Sequence, residues 1–248
     1  PELLGVRHPA AVKRLLPLLL LFLPSSAPAD PPQVLDALLA SYNQHAHFRL
    51  PGVSSQDLAR LEDGKVLKVR EVPEDPDLPI RVVGLLISDE PRDTLWLANR
   101  DPHYSIADGA TEALLTPRDQ WPQAWYQHFD APRPFSDRHW TIDVSDTHAL
   151  VDATGGACWE HWWQLRDDGL AFAREAVVAG TVEGIDVDTF DGSIYTPANH
   201  GAWLMCTLDD GRTLMGYHTS VVVGGRIPDR VIADWGMATL GRMFRMVE

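Results

Sequence analysis

The closing segment, residues 227–246, constrains the fold more than any other stretch. Pro228 stands where a first helical turn has no use for an N–H, and Asp229 complements the positive end of a helix dipole. Val231, Trp235 and Ala238 recur at helical spacing beside Ile232, Leu240 and Met243. That pattern predicts one long helix with its broad apolar face turned inward. Upstream, residues 111–115, 123–130, 138–144, 158–165, 202–208 and 213–223 read as short strands, with Asp167-Asp168-Gly169 and Asp209-Asp210-Gly211 as hairpin turns. Strands followed by a terminal helix predict an α+β domain. Residues 171–179 fit helix or strand, and 180–197 are rich in Asp, Gly and Thr, with 186–191 reading as a solvated acidic loop.

The first half reads as helix over 32–42, a helical turn opened by Ser54-Ser55-Gln56-Asp57, strands over 65–71 and 80–87, and a short helix over 90–99. Ahead of these, Arg7, Lys13 and Arg14 precede an apolar run over 15–23, and Ala27-Pro28-Ala29 has the small-x-small form of a cleavage site. Residues 1–29 are therefore expected to be a signal peptide, with export to a periplasmic or secreted location. The run is far shorter than the ~20 residues that cross a bilayer. Residues 30–60 then form an N-terminal helical segment, and 61–248 the main domain.

Three separated phrases carry a resemblance. They are Arg133-Pro134-Phe135-Ser136-Asp137-Arg138-His139-Trp140, then Gly201-Ala202-Trp203-Leu204, then Asp210-Gly211-Arg212-Thr213 running on to Gly224-Gly225-Arg226-Ile227-Pro228. In order and spacing they resemble the START (StAR-related lipid-transfer) family of the helix-grip, SRPBCC-like superfamily, over roughly residues 60 to 245. The resemblance implies a curved antiparallel sheet wrapped around the C-terminal helix and enclosing an apolar cavity. It implies binding, and possible transfer, of a lipid or other hydrophobic small molecule, with transient contact to a membrane. An aromatase/cyclase-like enzyme on the same fold is the alternative, since a fold does not fix a function. It also implies that Arg138 points into the cavity, although His139 stands where the family often has aspartate. The plainer reading of Arg138 is a strand end that reaches solvent or pairs with Asp137 or Asp130.

Alternation puts Arg138, Trp140, Ile142 and Val144 on one strand face and His139, Thr141 and Asp143 on the other. Nine tryptophans are many for this length, and Trp140, Trp159, Trp162, Trp203 and Trp235 are placed near the interior. A large aromatic with one polar edge suits a pocket that holds hydrocarbon and orients a hydroxyl. Tyr217 offers a hydroxyl there. The expected ligand-binding set is Arg138, Trp140, Trp159, Trp203, Tyr217 and Trp235, with a hinge at Gly224-Gly225. Of Trp162 and Trp163, which are adjacent, only one can face in.

Cys158 and Cys206 fall at the start of one predicted strand and near the end of another. They form either a disulfide or two buried thiols. The ten histidines show no His-Glu-x-x-His and the cysteines no C-x-x-C, so no metal and no cofactor is expected. No G-x-S-x-G elbow, P-loop or G-x-G-x-x-G occurs, which leaves Glu160 or Glu175 as the remaining acid-base candidates and predicts no enzyme. The formal net charge of -14 repels nucleic acid, which is excluded as a partner.

Overall fold

A computed structural model describes residues 31–75, 78–100 and 110–248; the expected signal peptide lies outside the described residues. The strands are β1 (Leu67–Glu71), β2 (Arg81–Ser88), β3 (Ala110–Leu114), β4 (Gln123–Phe129), β5 (Arg138–Asp146), β6 (Cys158–Leu165), β7 (Ile194–Tyr195), β8 (Ala198–Thr207) and β9 (Thr213–Val222). The helices are α1 (Pro31–His45), α2 (Ser55–Glu62), α3 (Arg92–Asn99), α4 (His148–Ala153), α5 (Gly169–Val178), α6 (Val187–Gly192) and α7 (Asp229–Val247). One sheet runs β1-β2-β9-β8-β6-β5-β4-β3 through antiparallel pairs, and β7 joins the start of β5 in parallel. This is the expected α+β helix-grip arrangement, a curved antiparallel sheet with a long C-terminal helix laid against it.

Strand alternation gives the sheet two apolar faces, and different helices cover them. On the inner face, Val82, Leu86, Met205 and Met215 pack with Ala233, Leu240, Met243 and Phe244 of α7 and with Leu95 and Trp96 of α3. On the outer face, Val83, Leu85, Leu204 and Leu214 pack with Leu35, Leu39 and Tyr42 of α1 and Leu58 and Leu61 of α2. Tyr126 of β4 packs there with Ala173 and Val177 of α5 and Phe190. Having both faces covered explains the nearly continuous burial of β2, β8 and β9.

The closing helix is present, but it is rotated from the expected face. Val231 and Trp235 are 53% and 63% exposed, while Ala233, Leu240, Met243, Phe244 and Val247 are buried. The inward stripe is 233, 237, 240, 244 and 247, a cleaner three-four spacing than the bulkier residues suggested. Its small N-terminal members decide the rotation. Ala233 and Gly236 let the helix approach Val82, and Leu240 and Phe244 fill the space over Gly84. Burying each of those two side chains contributes about 1.5–3 kcal/mol. Trp235 is thereby removed from the interior set.

Two local readings are corrected as well. Asp167-Asp168-Gly169 opens α5 and is not a hairpin turn, because Gly169 lies against Thr141 and Tyr195, where a Cβ would fall 2.4 Å from the Tyr195 hydroxyl. The acidic stretch at 186–191 is α6, capped by the Asp186 carboxylate, which accepts from the Thr189 N–H at 2.7 Å. Helix α4 follows Thr147 in a stretch where the sequence shows no helical signal. By contrast Asp209-Asp210-Gly211 does turn β8 into β9.

Two outer-face features fasten the N-terminal segment and the sheet centre. Glu160 of β6 is 1% exposed. Its carboxylate accepts from the Tyr42 hydroxyl at 2.7 Å, the His47 N–H at 2.7 Å, the Phe48 N–H at 3.3 Å and the Thr147 hydroxyl at 2.5 Å. Beside this network, Cys158 and Cys206 are direct cross-strand partners and are joined by a disulfide.

Buried histidines set an acid limit. Burial first, then His128, lowers His139 to about 4; burial and Arg81 lower His200, and burial, Arg81 and His200 hold His218 well below the usual histidine range. All three shifts are depressions, so the unfolded chain takes up protons first as pH falls. Their contribution is complete above the ordinary value near 6.5 and is lost as pH falls, that of His139 through about 4. The melting temperature is expected to fall progressively over that window, and less steeply in His139→Gln. A flat profile from pH 6.5 to 4 would contradict the assignment.

Candidate ligand-binding face

The inner face of β6, β8 and β9 carries a continuous aromatic group. Trp203 lies 4.8 Å from Tyr217 and 5.9 Å from Phe244 between ring centroids, and Trp163 lies 5.7 Å from Tyr217. Trp163 donates its indole N–H to Asn199 Oδ1 at 3.0 Å, so its polar edge is already oriented. Burial pushes the Tyr217 phenol up to about 12, which keeps it a neutral donor at any physiological pH. Toward β4 and β5 the same face continues with Ile142, Val144, half-buried Trp125 and half-buried Trp140, whose indole N–H donates to Gln127 Oε1. Trp203 is 4% exposed against α7, so the half-buried Trp163, Tyr217, Trp125 and Trp140 are the members that present apolar surface, with polar atoms at fixed points, to a greasy ligand bearing a hydroxyl or carbonyl.

Glycine is required at position 201. It pairs with Trp163 across the β6–β8 ladder, and a Cβ there would fall 2.3 Å from the His218 carbonyl oxygen and 2.4 Å from the Trp163 ring. The indole therefore lies on bare backbone, which gives the Gly-x-Trp phrase a physical reason. Gly201→Ala is expected to cost about 1–3 kcal/mol through overpacking. It should also displace Trp163 from Asn199, visible as a change in tryptophan fluorescence. An unchanged melt and spectrum would show that the neighbours yield freely.

Of the expected ligand set, Trp140, Trp203 and Tyr217 are on this face. Trp159 shares it but lies under α3, with the Arg92 guanidinium 3.8 Å above its ring and Trp96 at 5.2 Å. It packs the helix and does not line the face. Trp162 points outward and stacks on His47 at 3.9 Å. Arg138 is 6% exposed on the strand face of Trp140 and Ile142, and it neither reaches solvent nor pairs with Asp137 or Asp130. Nε donates to the Val223 carbonyl at 2.9 Å and Nη2 to the Gly224 carbonyl at 3.3 Å, with Nη1 on the Ser136 carbonyl. Among the described residues its partners are carbonyl dipoles, so it clamps the β9–α7 turn. Gly224 and Gly225 sit there at φ +71° and +72°, where proline cannot follow.

Trp163, Asn199, Trp125 and Gln127 escaped the sequence reading. Counting by two from Trp159 would have selected Trp163 over Trp162. Glu175 is exposed on α5, and Glu160 is enclosed on the opposite face, so neither carboxylate meets the aromatic group. Among the described residues, one hollow of about 410 Å³ lies away from this face, lined by Leu114, Leu115, Phe172 and Ala176, and one of about 490 Å³ reaches Asn199 at its edge, lined also by Phe48, Tyr195 and His200.

No protein-family profile and no curated protein matches the chain. Solved structures do. Human StAR-related lipid transfer protein 5 is similar at a TM-score of 0.53 and 10% identity, covering 87% of this chain and 91% of that one. The lipid transfer and protein localization domain of human StarD13 (DLC2) is similar at 0.52 and 8% identity, covering 78% and 94%. A STAR-related lipid transfer protein from Xanthomonas axonopodis is similar at 0.51 and 18% identity, covering 73% and 89%. A sheet of this order, gripping α7 and matched over most of its length by these domains, has the START fold.

Proposed function

We propose that the protein binds a hydrophobic small molecule or lipid on the inner face of the sheet, beside α7, and shuttles it as an exported carrier. The aromatic group of Trp163, Trp203 and Tyr217, extended by Trp140, is the observation that carries this reading. Named lipid-transfer domains with the same fold support it. The ligand's apolar body lies against the indoles, and its polar end meets Tyr217, Asn199 or Gln127. Removing ~300 Å² of apolar ligand surface from water contributes roughly 7 kcal/mol before association costs. The donors filling the Glu160 carboxylate support binding over catalysis. The disulfide supports maturation in an oxidising compartment. Val231 and Trp235, exposed one turn apart on α7, supply apolar surface for brief membrane contact.

Native mass spectrometry with lipid extraction, on protein purified from its own compartment, tests this directly. One co-purifying lipid per chain is expected, and Trp163→Ala should reduce its occupancy. An empty protein that also fails to take up sterols, fatty acids and phospholipids would sink the proposal.

A further inference from the structure

The segment 130–137 joins β4 to β5 and contains the Pro-x-Pro phrase. At its base three side chains converge from positions that a helical or C-x-x-C search does not connect: His128 on β4, Asp130 just after it, and Asp137 just before β5. One ligand atom from each lies within 4.8 Å of the others. His128 is 1% exposed, and its Nδ1 has no hydrogen-bond partner among the described residues. That nitrogen faces Asp130 Oδ1 at 3.4 Å.

Hydrogen-bond polarity fixes which ring nitrogen donates to Ser193. The Ser193 hydroxyl has one proton, and it donates to the Thr189 carbonyl at 2.7 Å. Toward His128 Nε2, at 3.0 Å, Ser193 Oγ can therefore only accept. Nε2 thus donates to Ser193, and Nδ1 is the ring nitrogen turned toward the two carboxylates. In the neutral ring that nitrogen is a lone pair, which a cation shared with the carboxylates would satisfy.

We propose that His128 Nδ1, Asp130 and Asp137 hold a divalent transition-metal cation of the zinc class, with water completing its shell. One imidazole and two carboxylates are a donor set such ions accept. Ligand distances of about 2.0–2.1 Å in tetrahedral geometry place neighbouring ligand atoms about 3.3 Å apart, close to the observed His128–Asp130 separation. The outer partners also fit. The far N–H of His128 is oriented by Ser193, and Asp137 Oδ1 accepts from the Ala131 N–H at 2.9 Å, which aims its carboxylate. The ion fastens the 130–137 connection to β7 through Ser193, next to the Arg138 clamp. The sequence expectation of no metal rested on local motifs, and these ligands are assembled across a strand connection.

The test uses the full chain, stripped with a chelator and titrated with zinc by calorimetry, with melting temperature followed in parallel. One zinc per chain is expected, raising the melting temperature. Asp130→Asn should weaken binding at least ~10-fold. Asp130 is 73% exposed, so its removal leaves the fold intact. His148→Gln, at an exposed histidine away from the site, should leave binding unchanged. A melting temperature indifferent to zinc and chelator would overturn the proposal and leave a proton as the intervening cation. Zinc binding that survives in Asp130→Asn, or calcium binding without zinc binding, would overturn it equally. Because the zinc and chelator responses of the unaltered protein decide the matter, a misfolded variant does not obscure the outcome. A lipid found or missing on the inner face does not bear on it.

Discussion

Glu160→Ala should lower the stability of the protein by about 4 kcal/mol, the largest single-residue effect expected here. The carboxylate is enclosed and receives four donors, from Tyr42, His47, Phe48 and Thr147. Alanine leaves all four facing an apolar interior, where each unsatisfied donor costs about 1–3 kcal/mol before water refills part of the space. Glu160→Gln is no remedy, because its amide N–H groups would confront the donors that the carboxylate now receives. Tyr42→Phe removes one charge-assisted bond and should cost about 1.5–3 kcal/mol. The loss should appear first as proteolytic opening of α1 and the 46–50 segment, whose backbone these bonds hold, and then in urea unfolding. A change under about 1 kcal/mol would mean that the segment is held by apolar packing alone.

Removing the disulfide should cost nearly as much by a different route. Cys158 and Cys206 are 48 residues apart in sequence, and the loop-closure relation gives about 4 kcal/mol for constraining a loop of that length in the unfolded chain. For a domain of this size the melting temperature should fall on the order of 10 °C. The double variant Cys158→Ala/Cys206→Ala and the reduced protein should agree. The bond lies on the outer face, so ligand occupancy below the melting transition should be unaltered. Equal melts with and without reductant would show that the chain does not depend on an oxidising compartment.

The sequence revealed the frame because turn residues and apolar runs are local. Strands β1 to β6 and β9 lie within a few residues of their expected bounds, and the Cys158–Cys206 alignment was open to reading as antiparallel neighbours. What it hid depended on packing between distant segments. The rotation of α7 is set by Gly84 and Val82, some 150 residues away, which reward small residues at 233 and 236 over bulky ones at 231 and 235. The role of Arg138 could not be read from strand alternation, because alternation gives a direction and not a partner. Its partners are backbone carbonyls, which sequence does not distinguish. Trp163 was missed for want of one parity argument, and His128 because its companions join it only across the β4–β5 connection.

The Arg138 contact has a geometric consequence. Strands β5 and β9 are separated in the sheet by β8 and β6, yet the start of one touches the end of the other through a single guanidinium. The sheet is thus drawn together like a paper cone at this end, where Ile194 and Pro197 also approach Gly224. Flattening the sheet at this end would require that guanidinium to leave both carbonyls, so the curvature is held by a tie that crosses two intervening strands.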